Sequence, residues 1–255
     1  MKAALFDTLR RRQANDQPVV IATLIAATGT TGKDLGRQLL IDPGGPDQGG
    51  LGAAALDDAA RQAAATALET FTSKRLSLRH QGETVELFID VCPPRRTLIL
   101  VGAVHVAISL AAMARTLGMR TAVVDPRTAF ATDTRFPHVD LLSHAWPDRA
   151  LEAIGLGPGS YVATLSHDDK LDVPALAAAL KSPARYIGAL GSRKTHAKRQ
   201  RALRAMGFDE QTVARIHNPI GLPLGGRRAE EIAVAILAEI VAADHGAHLI
   251  KAAGA

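Results

Sequence analysis

The sequence predicts an α/β protein, with a Rossmann-like, mostly parallel sheet domain on its C-terminal side and a smaller α+β domain at its N-terminal side. Three observations carry this expectation. An apolar strand (TLILV, 97–101) runs into Gly102-Ala103-Val104-His105, continues as an amphipathic helix and returns as a second apolar strand ending on Asp125-Pro126-Arg127. A strand, a glycine turn, a helix and an acid about twenty positions on form the first half of a dinucleotide-binding βαβ unit. Strands and helices then alternate along the rest of the chain, the mark of a doubly wound parallel sheet. The pattern before this region differs, and Pro93-Pro94 separates the two parts, which places domains at 1–92 and 95–255.

In the first domain a short helix (2–14) leads to a strand (19–26), a glycine-rich loop, a strand near 38–41 and a second glycine cluster. An alanine-rich helix follows at about 51–71, then two strands of roughly alternating pattern, 75–80 and 84–91, joined by Gln81-Gly82-Glu83. In the second domain the pattern gives strands at 97–101, 120–124, near 139–142, 160–164 and 185–189. Helices fall at 104–116, 147–154, 171–181 and 192–206. The last helix, 228–244, carries Ile232, Ala235, Ile236 and Ile240 at helical spacing, a stripe suited to packing on the sheet.

Composition narrows the function classes. The 255 residues are enough for a substantial core. Although 47% are hydrophobic, no run reaches the length of about 18 residues that spans a bilayer. The N-terminal segment lacks the apolar core and cleavage site of a secretory signal, so the expected location is the cytoplasm. A single cysteine, Cys92, excludes a disulfide framework and a multi-cysteine zinc site; with no visible partner or activating base it reads as inert. The net charge of +5 comes with only 4% aromatics and mostly dispersed basic residues, so a phosphorylated small molecule or an acidic protein surface is expected rather than nucleic acid.

Ligands of open α/β sheets bind outside the carboxyl ends of the strands, so the loops there hold the candidate residues. Gly102 gives the tight turn after the first strand, and His105 stands in the first helical turn beyond it. Asp125 and Arg127 flank a proline at the next strand end, where the acid is placed to accept from a ribose-like hydroxyl. Val104 occupies the position where the fingerprint has a second glycine, and its β-branched side chain is expected to stand where a pyrophosphate would approach. Ser166, His167 and Lys170 follow the strand at 160–164 as a polar clamp. Neighbouring residues do not form a hydrolytic triad with one another, and no nucleophile elbow surrounds Ser166.

Gly188, Gly191, Ser192 and Arg193 form an anion loop at the start of a helix bearing six Lys or Arg between Arg193 and Arg204. The plain reading of that helix is a solvated basic face. His217 and Gly221 lie in a proline-framed loop before the last helix, which reads equally well as a connector. The spacing of His105, His167 and His217 matches no metal site, and no catalytic residue is assigned.

These motifs resemble the C-terminal domain of the XdhC/CoxI family. The resemblance rests on Gly102-Ala103-Val104-His105-Val106-Ala107, the 123–127 strand end with Phe130-Ala131, Arg135-Phe136-Pro137, and Ser166-His167-Asp168 with Lys170 and Asp172. It extends through Tyr186-Ile187-Gly188-Ala189-Leu190-Gly191-Ser192-Arg193, the 215–222 loop and Glu230-Glu231-Ile232-Ala233, all in order. It implies a chaperone that binds molybdopterin, the molybdenum cofactor, bare or nucleotide-extended, and assists its insertion into an apo molybdenum hydroxylase such as xanthine or carbon monoxide dehydrogenase. A cysteine desulfurase partner and a homodimer are also implied.

Two positions depart from the family pattern. Val104 replaces the second glycine, and within Gly49-Gly50-Leu51-Gly52-Ala53-Ala54-Ala55-Leu56-Asp57 an alanine, Ala55, stands where the family carries a cysteine. A methyl group cannot relay sulfur. The competing readings are an NAD(P)-dependent oxidoreductase using the same βαβ unit and a ligand-free interaction protein.

Overall fold

The computed structural model describes residues 3–247; Lys2, which the sequence places in the first helix, lies outside them. The chain divides into two compact units, Met1–Arg95 and Arg96–Ala255.

The first unit contains α1 (Ala3–Ala14), β1 (Val19–Ala27), a 3-10 turn (Gly29–Asp34), β2 (Gln38–Ile41), β3 (Gln48–Gly49), α2 (Ala54–Thr70), β4 (Lys74–His80) and β5 (Glu83–Cys92). Its sheet has the order β3-β2-β1-β5-β4, with antiparallel pairing throughout. The alternating β5 turns Val85, Leu87, Ile89 and Val91 toward α2, whose Leu56, Ala60, Ala64 and Ala67 complete one core. Alanine at this spacing lets the helix axis lie close to the sheet. Val19 and Leu40 pack with Leu5 of α1 in a second, smaller cluster. Helix α2 begins at Ala54 rather than 51 because Gly52 has φ +103° and the Leu51 N–H donates to Asp57 Oδ1 at 2.8 Å.

The second unit contains β6 (Thr97–Val101), α3 (His105–Thr116), β7 (Arg120–Val124), β8 (Leu141–Ser143), α4 (Pro147–Ile154) and β9 (Ser160–Thr164). It continues with α5 (Asp169–Leu180), β10 (Tyr186–Ala189), α6 (Arg193–Ala205), α7 (Glu210–Val213), β11 (Ile216–His217) and α8 (Ala229–Asp244). All six strands are parallel, in the order β11-β10-β9-β6-β7-β8. Counted from β6, this is the 3-2-1-4-5-6 order of dinucleotide-binding sheets, and the predicted fold class is borne out.

Alternate residues of β6 feed separate cores. Leu98 and Leu100 pack with Leu110 of α3 and Ile236 and Ile240 of α8. Ile99 and Val101 pack with Leu151 of α4, Leu176 of α5 and Leu203 of α6. Burial on both faces explains why these strands read as continuous apolar runs. The strand order reverses between β6 and β9, so a crevice opens outside their carboxyl ends. Helix α5 starts at Asp169, two residues earlier than the sequence suggests, because the Asp168 carboxylate caps it by accepting from the Lys170 N–H at 2.9 Å. Among the described residues no helix is long and apolar enough to cross a membrane.

Candidate functional site

Gly102 has φ +107°, and a Cβ there would lie 2.7 Å from the Ser166 nitrogen and 2.8 Å from its Cα. The bare backbone at 102 is therefore what lets the loop after β6 touch the loop after β9. Val104 is half-buried and packs against the core shared by α3 and α8. As the N-cap of α3 it offers no side-chain cap, and the first turn carries no acid, which leaves that helix end open to an anion. His105 is exposed at this end.

Asp125 has no exposed surface. Its Oδ2 accepts from the Ala103 N–H at 2.8 Å and Arg127 Nη2 at 2.7 Å, and its Oδ1 accepts from the Arg127 N–H at 3.0 Å and Nε at 2.9 Å. Burial pushes its pKa up, but the bonds from Arg127 and Ala103 outweigh this and hold the carboxyl below its ordinary value. Four donors occupy the carboxylate, which corrects the expectation that Asp125 accepts from a ribose hydroxyl. The NAD(P) reading loses its ribose acceptor with it.

On the other side of the crevice, the buried Ser166 hydroxyl donates to Asp172 Oδ1 at 2.7 Å and accepts from the Asp168 N–H at 3.0 Å. Asp172 is gripped by Arg199, which also reaches Asp169 at 3.2 Å and the Leu190 carbonyl at 2.7 Å. Burial pushes Asp172 up, against the pull of Ser166 and Arg199. A Cβ on Gly191 would lie 3.2 Å from Arg199 Nη1, so this glycine seats the guanidinium. One fully buried arginine thus fastens the loops after β9 and β10 together.

Ser192 caps α6 by accepting from the Thr195 N–H at 3.2 Å. His167 is exposed, with φ +60°. Lys170, Arg193 and Lys194 are exposed and make no ion pair among the described residues.

The remaining predicted residues gather elsewhere. A Cβ on Gly188 would lie 2.4 Å from Ile220 Cδ1, so this glycine makes room for the loop before α8. The Gly221 N–H and the Tyr186 hydroxyl each donate to Glu239 Oε2 at 2.6 Å, and His217 Nδ1 lies 3.1 Å from Oε1. Burial and then the Glu239 charge push the Tyr186 hydroxyl well above its ordinary pKa. This cluster ties β10 and β11 to α8. Among the described residues no three His, Cys, Asp or Glu side chains converge as a metal site.

Glu239 and Arg199 are absent from the predicted site, yet each leaves a trace in the sequence. Glu239 falls three positions after Ile236 on the apolar stripe of α8, and Arg199 falls four before Leu203, so each lies on the buried face of its helix.

The crevice and strand order define a Rossmann-fold domain, carried in one chain with a small α+β unit. The chain belongs to the XdhC and CoxI family: residues 98–240 match the XdhC Rossmann domain and residues 12–79 match the XdhC and CoxI family. It is 27% identical over 252 residues to YqeB of Escherichia coli K12, an uncharacterised protein, covering 93% of this chain and 46% of that one. It is 31% identical over 170 residues to a probable xanthine dehydrogenase subunit of Bacillus subtilis 168, covering 67% and 49%. Over 79 residues it is 35% identical to PaoD, a molybdenum cofactor insertion chaperone of E. coli K12, covering 31% and 25%. The chain spans about half the length of the first two relatives. A crystal structure of a Bacillus halodurans xanthine dehydrogenase shares the fold, with a TM-score of 0.53, 18% identity and 98% of each chain covered.

Proposed function

We propose that this chain binds the phosphorylated molybdenum cofactor, bare or nucleotide-extended, at the carboxyl edge of its parallel sheet and hands it to an apo molybdenum hydroxylase. The observation that carries this reading is the charge left over after the internal network is satisfied. Asp125 and Asp172 are held by Arg127 and Arg199, Asp169 by Arg199 and Lys198, and Asp168 caps α5, while His105, Lys170 and Arg193 in the first turns of α3, α5 and α6, and His167 before α5, stay exposed. Free N–H groups and unpaired cations suit a phosphate. The name of the PaoD relative points the same way.

The donor set fits the phosphate end of the cofactor. Once bound, the group supplies molybdenum redox chemistry to the client, and this chain supplies only its grip. Sulfur transfer falls to a separate protein such as a cysteine desulfurase. Ala55 is exposed in the first turn of α2, where a thiol would be activated by the helix end, and Cys92 is half-buried with its thiol pushed up by burial and by Asp90.

The test is purification from a host that makes molybdopterin, mass spectrometry of the released ligand, and transfer to an apo hydroxylase. A co-purifying pterin phosphate and a rise in client activity, with no turnover by the chain alone, are expected. Arg193→Ala should weaken cofactor binding by about 1–3 kcal/mol, the scale of a lost charge-assisted hydrogen bond. Micromolar binding of NAD or NADP with turnover overturns the reading.

A further inference from the structure

The loop after β7 carries an exposed aromatic ring that no core requires. Phe130 is 45% exposed, whereas Phe136, six residues on, is 3% exposed and anchors the loop in the core beneath α3. The loop is also tied to the glycine turn of the crevice, because Arg135 Nη1 donates to the Ala103 carbonyl at 2.9 Å and to the Phe130 carbonyl at 2.5 Å. Phe130 is therefore held beside the uncapped end of α3.

The arginine above the ring is held just as firmly. Arg127 directs Nε and Nη2 at Asp125, so that one edge of its guanidinium is spent. Its Cζ lies 4.7 Å from the Phe130 ring centroid, which places the guanidinium over the ring. With one edge on Asp125 and one face on Phe130, the 36% of the side chain still exposed is what a planar ligand can meet. A delocalised guanidinium backed by an aryl ring is a stacking surface, and a lysine ammonium is not.

We propose that Arg127 and Phe130 form a stacking platform for the flat heterocycle of the ligand, with the phosphate running toward α3 and α6. This rests on the reading that the crevice takes a phosphorylated pterin. It reassigns the position after the second strand, which in dinucleotide enzymes selects a ribose hydroxyl, to selection of a planar ring. Pterins and purines share that chemistry, and the test separates them.

The experiment titrates the intact chain with a 6-substituted pterin carrying a phosphate, with GMP and with inorganic phosphate, reading pterin fluorescence quenching and calorimetric heat. Arg127→Lys keeps a cation for Asp125 but removes the flat face. Phe130→Leu removes the backing ring from an exposed position and keeps the test open should Arg127→Lys unfold. The expected result is a loss of pterin phosphate affinity of about tenfold or more for Arg127→Lys and a smaller loss for Phe130→Leu, the scale of a base–aromatic stack. Inorganic phosphate affinity stays within about twofold.

Wild-type binding of the pterin phosphate with both variants unchanged overturns the platform and leaves the proposed function standing. A wild type that takes inorganic phosphate but neither ring overturns both. GMP binding as tightly as the pterin, with the same losses in the variants, overturns the pterin as occupant.

Discussion

Two fully buried carboxylates stand at the ligand edge of the parallel sheet, and the chain neutralises them in opposite ways. Asp125 is met by Arg127, two residues on and 36% exposed. Asp172 is met by Arg199, 27 residues away on another helix, with neither side chain exposed. The local pair shapes one turn and leaves its arginine facing solvent. The distant pair sets the spacing between two loops and has nothing left to offer a ligand. Sequence separation and burial, more than charge, divide the groups that support the site from those that can serve it.

The contrast is broken most severely at the distant pair. Arg199→Met leaves the Asp172 carboxylate buried without its cation and should cost about 3–5 kcal/mol in urea denaturation. The double variant Arg199→Met/Asp172→Leu should recover most of that loss, because an apolar pair of similar volume replaces a costly ionic one. A loss below about 1 kcal/mol in the single variant would show that the guanidinium does not hold the loops.

Arg127→Ala should cost less, about 1–2 kcal/mol, since the Ala103 N–H still serves Asp125 and the vacated space opens to water. The same pair gives a pH dependence of fixed sign. The folded pKa of Asp125 is lowered, so its contribution to stability is complete above the ordinary carboxylate pKa of about 4 and is lost as pH falls through the folded value. Denaturation midpoints followed between about pH 5 and pH 2 should fall on the acid side, and Asp125→Asn should flatten that limb. An unchanged slope in Asp125→Asn would assign the acid sensitivity to other carboxylates.

Val104→Gly sharpens the comparison with the smallest effect. Its packing against the core should make the change cost about 1 kcal/mol, while affinity for NAD stays where it is, because Ser166 against Gly102 sets the width of the crevice. A sharp rise in NAD affinity would place the valine in the ligand path.

Most of the fold was legible because strands buried on both faces and amphipathic helices write long patterns. The βαβ unit from 97 to 125 and the parallel alternation after it come directly from runs such as TLILV. The 3-10 turn Gly29–Asp34, β3, α7 and β11 escaped, since segments of two to six residues are too short to show a period. Strand β11 exists through its register with β10, Ile187 opposite Ile216, which no local pattern records.

At the site, Asp125-Pro126-Arg127 could be read as a unit because its partners are adjacent. Its purpose was misread because burial is invisible in a tripeptide. Arg199 was hidden inside a basic run that looked solvated throughout, although it shares the buried face of α6 with Leu203. Glu239 passed unnoticed inside an apolar stripe, and with it the internal commitments of His217 and Gly221.

The methyl group at position 55 also bears on how the protein meets oxidants. Peroxides, alkylating agents and disulfides react with thiolates, and climbing the sulfur oxidation ladder starts from that anion. The only sulfhydryl in the chain is Cys92, half-buried and kept in its protonated form at neutral pH by burial and the nearby Asp90. Peroxide therefore finds no ready target on the first unit, and covalent cross-linking between copies is slow.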